Sequence, residues 1–166
     1  MVTGAASKTY AMTGWRLGWA LGPPELIRAM TSYQSHTTSN ASSISQAAAL
    51  SALTDLAPAA ASVADMLAHY EARRGVMVEA LKALPGVRCG MPEGAFYAFA
   101  DVSALFPALS VTGSVGFCEK LLAEAHVAAV PGDSFGDDSC VRFSYASKIE
   151  RIREGVRRIR EWIARV

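Results

Sequence analysis

The stretch Ala6-Ser7-Lys8-Thr9-Tyr10-Ala11-Met12-Thr13-Gly14-Trp15-Arg16-Leu17-Gly18 decides how the rest of the chain is read. It sets an arginine eight positions after a lysine, in glycine-containing sequence that lets backbone turn tightly. An amine condenses reversibly with an aldehyde, and an arginine fork pairs with phosphate oxygens in a geometry that lysine cannot copy. One loop therefore carries both handles for an aldehyde that bears a phosphate. A lysine taken alone is a solvated surface residue as a rule, and context sets Lys8 apart. Of the four lysines, Lys82, Lys120 and Lys148 fall on expected helices without a phosphate-type partner nearby in sequence.

Outward from this stretch, residues 4–22 have the glycine-rich texture of short strands and turns. Pro23-Pro24 starts a helix with Leu26, Ile27, Met30 and Tyr33 as its apolar stripe. After a polar stretch, Ser43 with Gln46 reads as a capping box that opens a second helix through Leu53. A long amphipathic helix is expected over residues 58–84, because Val63, Met66, Leu67, Tyr70, Met77, Val78, Leu81 and Leu84 recur at threes and fours until Pro85-Gly86. Strands follow at 87–89, 95–100, 127–130 and 140–145, with helices at about 115–125 and 149–164, which makes an α+β module. The last helix reads as capped by a Ser147 to Glu150 box, with Ile149, Ile152, Val156, Ile159 and Ile163 inward and its arginines solvated among glutamates.

Composition bounds the partners. The 166 residues are 51% hydrophobic, ample for a packed core, and a formal net charge of +1 gives no broad field toward nucleic acid. Cys89, Cys118 and Cys140 are odd in number and lack metal-type spacing, which suits reduced thiols in a cytoplasmic protein and argues against zinc or any other metal. No apolar run approaches the roughly 18 residues of a membrane span, and Met1-Val2-Thr3-Gly4 lacks the start of a signal peptide. The expectation is a soluble, cytoplasmic chain with no membrane and no nucleic-acid partner.

The lysine stretch resembles the lysine segment of the class I and II aminotransferases, the fold-type-I enzymes that use pyridoxal phosphate. Pro23-Pro24-Glu25-Leu26-Ile27, Thr38-Ser39-Asn40, Pro92-Glu93-Gly94-Ala95-Phe96-Tyr97-Ala98-Phe99 and Val141-Arg142-Phe143-Ser144-Tyr145-Ala146 follow in the family's order, so the resemblance covers essentially the whole chain. It implies an α/β with α+β fold that is the C-terminal part of this transferase fold, since the family's lysine lies past the midpoint of a much longer subunit. Residues 1–60 would close the large cofactor domain, and 61–166 would form the interdomain helix and the small α+β domain.

The same resemblance implies the roles. Lys8 forms the imine with pyridoxal phosphate and transfers protons, Arg16 clamps the phosphate, and Arg142 grips the substrate α-carboxylate. Arg142 stands on an expected strand with Cys140 and Ser144 on its face and Val141, Phe143 and Tyr145 on the other. For both arginines the alternative is a structural ion pair. Phe96 and Tyr97 are read mainly as packing. Many family members have a serine three residues before the lysine, where Ala5 stands here; Thr3 or a backbone amide is the candidate substitute. Thr38-Ser39-Asn40 resembles a loop that reaches the neighbouring subunit in dimeric relatives, which implies a homodimer for the full enzyme. Ser35 occupies the place of an arginine found in one dicarboxylate-specific branch, so aspartate specificity does not follow from the sequence.

The implied reaction moves an amino group between an amino acid and a 2-oxo acid. Two rivals stand beside it: a lyase or synthase on the same fold, and a non-catalytic fragment lacking the ring-stacking N-terminal half.

Overall fold

The computed structural model describes residues 1–165, so Val166, the last residue of the expected second domain, lies outside the described residues. The chain forms two compact units, Met1–Leu67 and Ala68 onward.

In the first unit, β1 (Val2–Ala5) and β2 (Gly18–Leu21) pair antiparallel, from Val2 opposite Leu21 to Ala5 opposite Gly18. The excursion between them holds α1 (Ala6–Thr9), a single turn, and a 3-10 turn at Thr13–Trp15. Pro24 sits in the first turn of α2 (Pro24–Thr37), where its missing N–H costs no helix bond. The next helix, α3 (Ser43–Thr54), lacks the expected capping box. Ser42 is its N-cap without a side-chain bond, and the Gln46 side chain donates instead to the Ala41 carbonyl at 2.7 Å. The buried centre of this unit is small: Ala6, Met12 and Ala49, with Tyr10, Leu17, Ala48 and Ala52 packed against them. The stripe read on α2 is not buried; Leu26, Met30 and Tyr33 remain exposed, as do Val2, Trp19 and Leu21 on the two strands.

The helix α4 (Leu56–Lys82) runs from the first unit into the second, where Met77, Val78 and Leu81 near its C-terminal end are buried. Past it, Gly86 takes a φ of +74°, a left-handed turn that a side chain would strain. The second unit is built on an antiparallel sheet in the order β3 (Arg88–Cys89), β4 (Tyr97–Asp101), β6 (Cys140–Ser144), β5 (Val130–Pro131). Two expected strands start late for local reasons. Ala95 has a φ of 59°, so pairing begins only at Tyr97. His126 takes a φ of 56° at the end of α6 (Ser114–Ala125), and the chain reaches extended pairing only at Val130. A short helix, α5 (Phe106–Leu109), precedes α6, and α7 (Ile149–Ile163) closes the fold.

Period-two alternation sorts the central strands. Ala98 and Ala100 of β4 face Phe143 and Val141 of β6, and all four are buried in the core. Phe117 and Leu121 of α6 and Ile152, Val156, Ile159 and Trp162 of α7 join them. The α7 stripe matches the sequence reading except at its ends, where Ile149 and Ile163 are half-buried and Trp162 is fully buried. No side-chain cap forms at Ser147; Lys148 is the N-cap. The Arg157 and Arg158 guanidinium groups bind Glu154, and Arg157 also binds Glu161, so these two arginines are held on the helix surface as read.

Trp162 packs edge-on against Phe117 at 5.4 Å between centroids, and its Nε1 donates to the Glu124 carboxylate at 2.8 Å. Trp162→Ala is expected to destabilise the second unit by about 3–5 kcal/mol, the range for deleting a buried aromatic. Trp162→Phe keeps much of the ring packing and is expected to lose less. Urea midpoints of the two variants check the order.

Candidate functional site

Lys8 and Arg16 share the excursion between β1 and β2. The Ala6 amide donates to the Leu17 carbonyl at 3.2 Å, which joins the two ends of the loop just beyond the strand pair. Lys8 lies two residues from that junction and Arg16 one residue from it on the returning limb. Between them the backbone is braced: the Tyr10 amide donates to Ala6, Ala11 to Lys8 and Trp15 to Met12, while the Thr13 hydroxyl donates to the Ser7 carbonyl at 3.0 Å. Buried Met12 plugs the loop from beneath.

Arg16 itself is left-handed, with φ 52° and ψ 50°. That conformation costs a side-chain-bearing residue roughly 1–2 kcal/mol, and a bond from Arg16 Nη1 to the Thr13 carbonyl at 2.9 Å helps hold it. Among the described residues no carboxylate pairs with this guanidinium, and Nη1 is the only one of its nitrogens that donates to protein. Lys8 and Arg16 are both exposed, so an amine and a largely unspent donor fork stand on one braced loop. Of the secondary candidates, Thr3 lies within β1 opposite Ala20. Ser39 is left-handed just beyond α2, and the Asn40 side chain donates to Ala41.

Arg142 belongs to the second unit, on the sheet face that points away from the core. It stands on β6 opposite Phe99 of β4 and Val130 of β5, with Tyr97 diagonal to it. Its guanidinium carbon lies 4.2 Å from the centre of the Tyr97 ring and 4.5 Å from that of Phe135. Phe135 ends the 3-10 turn Gly132–Phe135. That turn requires its first glycine, since a Cβ there would lie 2.2 Å from the Asp137 carbonyl oxygen and 2.3 Å from that of Cys140.

The sequence reading offered a buried salt bridge as the other explanation of Arg142. Among the described residues no carboxylate lies within ion-pair distance of it. The acid on the same face, Asp101, is spent elsewhere. One oxygen accepts from the Ser103 amide and hydroxyl, and the other from Arg88. The Ser103 bonds, followed by Arg88, pull the Asp101 carboxyl down from 3.8 to about 2. Tyr97, expected mainly as packing, and Phe135, which the sequence does not single out, are the two rings beneath the guanidinium. A β4–β6 pairing would have exposed Tyr97; nothing local to the sequence marks Phe135.

The three cysteines are free and buried, and burial alone pushes the Cys118 thiol up to about 11, so they are poor nucleophiles. Among the described residues no cluster of three or more His, Cys, Asp or Glu side chains could hold a metal ion, and no single helix is long and apolar enough to cross a membrane.

Comparison with known proteins shows what the chain is similar to. The family model for aminotransferase class I and II matches residues 1–159. The aspartate aminotransferase of Streptomyces avermitilis is 43% identical over 99% of this chain and 40% of its own length; that of Pinus pinaster is 41% identical over 92% and 32%. Among solved structures, the aspartate aminotransferase of Rhizobium meliloti superposes with a TM-score of 0.86 at 40% identity, over 99% of this chain and 42% of its own. The aromatic aminotransferase of Pyrococcus horikoshii gives 0.89 at 33% identity, over 98% and 42%. The chain thus spans between about a third and two fifths of the length of these relatives.

The Asp101 carboxyl titrates lower in the folded chain than its ordinary 3.8. Its contribution to stability is therefore complete above that value and is lost as pH falls toward about 2. Asp101→Asn is expected to lower stability at neutral pH and to flatten part of the acid limb. Glu154, also lowered to about 2 by Arg157 and Arg158, and Asp137 and Asp138, lowered by bonds from Ser139 and Ser114, keep the remainder. Urea midpoints of the variant and the parent along an acid series measure the difference.

Proposed function

Because the chain belongs to the class I and II aminotransferase family, whose members depend on pyridoxal phosphate, we propose that it is the C-terminal part of an aminotransferase that exchanges an amino group between an amino acid and a 2-oxo acid. In this reading residues 1–60 close the large cofactor-binding domain, and 61–166 are the interdomain helix and the small α+β domain. The full enzyme is a cytoplasmic homodimer. Aspartate is the donor that the names of the relatives favour. Ser35 offers no cation for its side-chain carboxylate, so another residue must hold that group.

The observation that carries the proposal is the loop closed by Ala6 and Leu17, which holds Lys8 and Arg16 within a few residues of one junction. Its donor set suits an aldehyde bearing a phosphate: an exposed amine, and a guanidinium with only Nη1 engaged. Lys8 would hold the cofactor and Arg16 would pair with its phosphate. Bound pyridoxal phosphate supplies an electron sink that makes the substrate α C–H acidic. The Lys8 amine then takes and returns the proton at the substrate α carbon. Arg142 pairs through two parallel N–H bonds with the substrate α-carboxylate and so orients that C–H.

The ring-stacking partner and the acid beneath the cofactor nitrogen must come from polypeptide beyond these residues. Exposed Val2, Trp19 and Leu21 on the two-stranded sheet supply apolar surface for such a polypeptide to cover.

Adding pyridoxal phosphate to the chain is expected to give a visible absorbance band that Lys8→Ala removes and Lys148→Ala leaves in place. Arg16→Gln is expected to weaken the titration by about tenfold, since it removes a charge-assisted pair. A band unchanged in Lys8→Ala reassigns the lysine. Little or no aspartate turnover is expected from the 166 residues alone, with turnover gained when a polypeptide carrying the rest of the cofactor domain is added.

A further inference from the structure

The surroundings of Arg142 are unusual for a half-buried arginine. Its side chain donates no hydrogen bond to any described residue and meets no described carboxylate, yet two aromatic rings lie within 4.5 Å of its guanidinium carbon. A guanidinium stacks on rings through its flat faces and hydrogen-bonds through its edge. With its central carbon over both rings, the guanidinium is flanked by aromatic surface, and its N–H donors are unspent among the described residues. Lysine could not be held this way, because a tetrahedral ammonium has no plane for a ring to fix.

Both rings are themselves set by the fold. Tyr97 is fixed by the β4–β6 register, and its ring also packs against Phe96 at 4.4 Å. Phe135 is fixed by the Gly132 turn and meets Phe99 edge-on at 6.2 Å. Strand and turn are independent supports that converge on one side chain. Asp101 cannot draw the guanidinium away, since Ser103 and Arg88 occupy both of its oxygens. The Tyr97 hydroxyl makes no hydrogen bond to a described residue, so the ring face and not the phenol is what Arg142 uses.

We propose that Tyr97 and Phe135 are positioning residues that hold the Arg142 guanidinium plane, so that its edge meets a planar carboxylate in two-point fashion. The inference rests on the reading of Arg142 as the α-carboxylate site and adds the groups that orient it. Holding the fork before the ligand arrives lowers the ordering cost of binding, which is where the two rings act.

The test uses the isotopically labelled 166-residue chain and pyruvate as the probe, read on the Arg142 Nε–Hε resonance, which Arg142→Lys assigns by deletion. In the parent that resonance is expected to carry a ring-current shift and a backbone-like order parameter of about 0.8, and to move on addition of pyruvate. Tyr97→Leu and Phe135→Leu are each expected to lower the order parameter and weaken pyruvate binding about fivefold, while Tyr97→Phe stays within about twofold of the parent. Because Phe135→Leu and Tyr97→Phe lie on different supports, misfolding of Tyr97→Leu leaves a decisive comparison. Parent-like pyruvate binding in Phe135→Leu, or a loss in Tyr97→Phe as large as in Tyr97→Leu, overturns the positioning role while leaving Arg142 as the carboxylate site. No pyruvate shift of the Arg142 resonance in the parent removes the carboxylate reading and the positioning role with it.

Discussion

One hydrogen bond, from the Ala6 amide to the Leu17 carbonyl, joins the two limbs of the glycine-containing loop on which the proposed function rests. The β1–β2 register ends at Ala5 and Gly18, and this bond extends the closure one step into the loop, so that both limbs return to one point. Lys8 and Arg16, separated by eight positions, each lie within two residues of that closure. The left-handed backbone at Arg16 is the strained part of the arrangement, held by its own bond to Thr13. Strain of this kind persists only where the surrounding structure over-determines it, and the braces between Ser7, Met12 and Thr13 do so here.

The second unit meets its requirement differently. The placement of Arg142 is a by-product of strand alternation: the residues that put Val141 and Phe143 into the core must turn Arg142 outward. A packed core on one face therefore fixes the direction of the arginine on the other. The acid on the same face of the sheet, Asp101, is kept occupied by Ser103 and Arg88. The two units solve opposite problems. The first carries two cations on an exposed, bent loop, and the second sets one on a regular sheet.

Much of this was legible in the sequence. The long helix ended by Pro85-Gly86 and the alternation about Arg142 rest on local periodicity or punctuation, and the structure carries both to within a few residues. The failures come from effects with no local signature. Ser43 and Ser147 have the letters of capping boxes, but in each case the helix starts with the preceding or following residue as its cap, so the hydroxyl sits outside the N-cap position. Leu26, Met30 and Tyr33 have the spacing of a buried stripe, but burial needs a partner surface, and spacing alone does not supply one. Ala95 and His126 adopt left-handed conformations that shorten strands, and neither residue type announces it. Phe135 reaches Arg142 through a turn whose geometry depends on carbonyls of residues 137 and 140.

The claim on which the functional reading stands is that the closed loop makes Lys8 the amine that captures pyridoxal phosphate. Incubating the chain with pyridoxal phosphate, reducing with borohydride and mapping the label by peptide mass spectrometry tests it most directly. The loop predicts a label concentrated on the peptide containing Lys8 and sharply reduced there in Arg16→Gln. A label spread over Lys82, Lys120 and Lys148 as readily as over Lys8, and indifferent to Arg16, would contradict it.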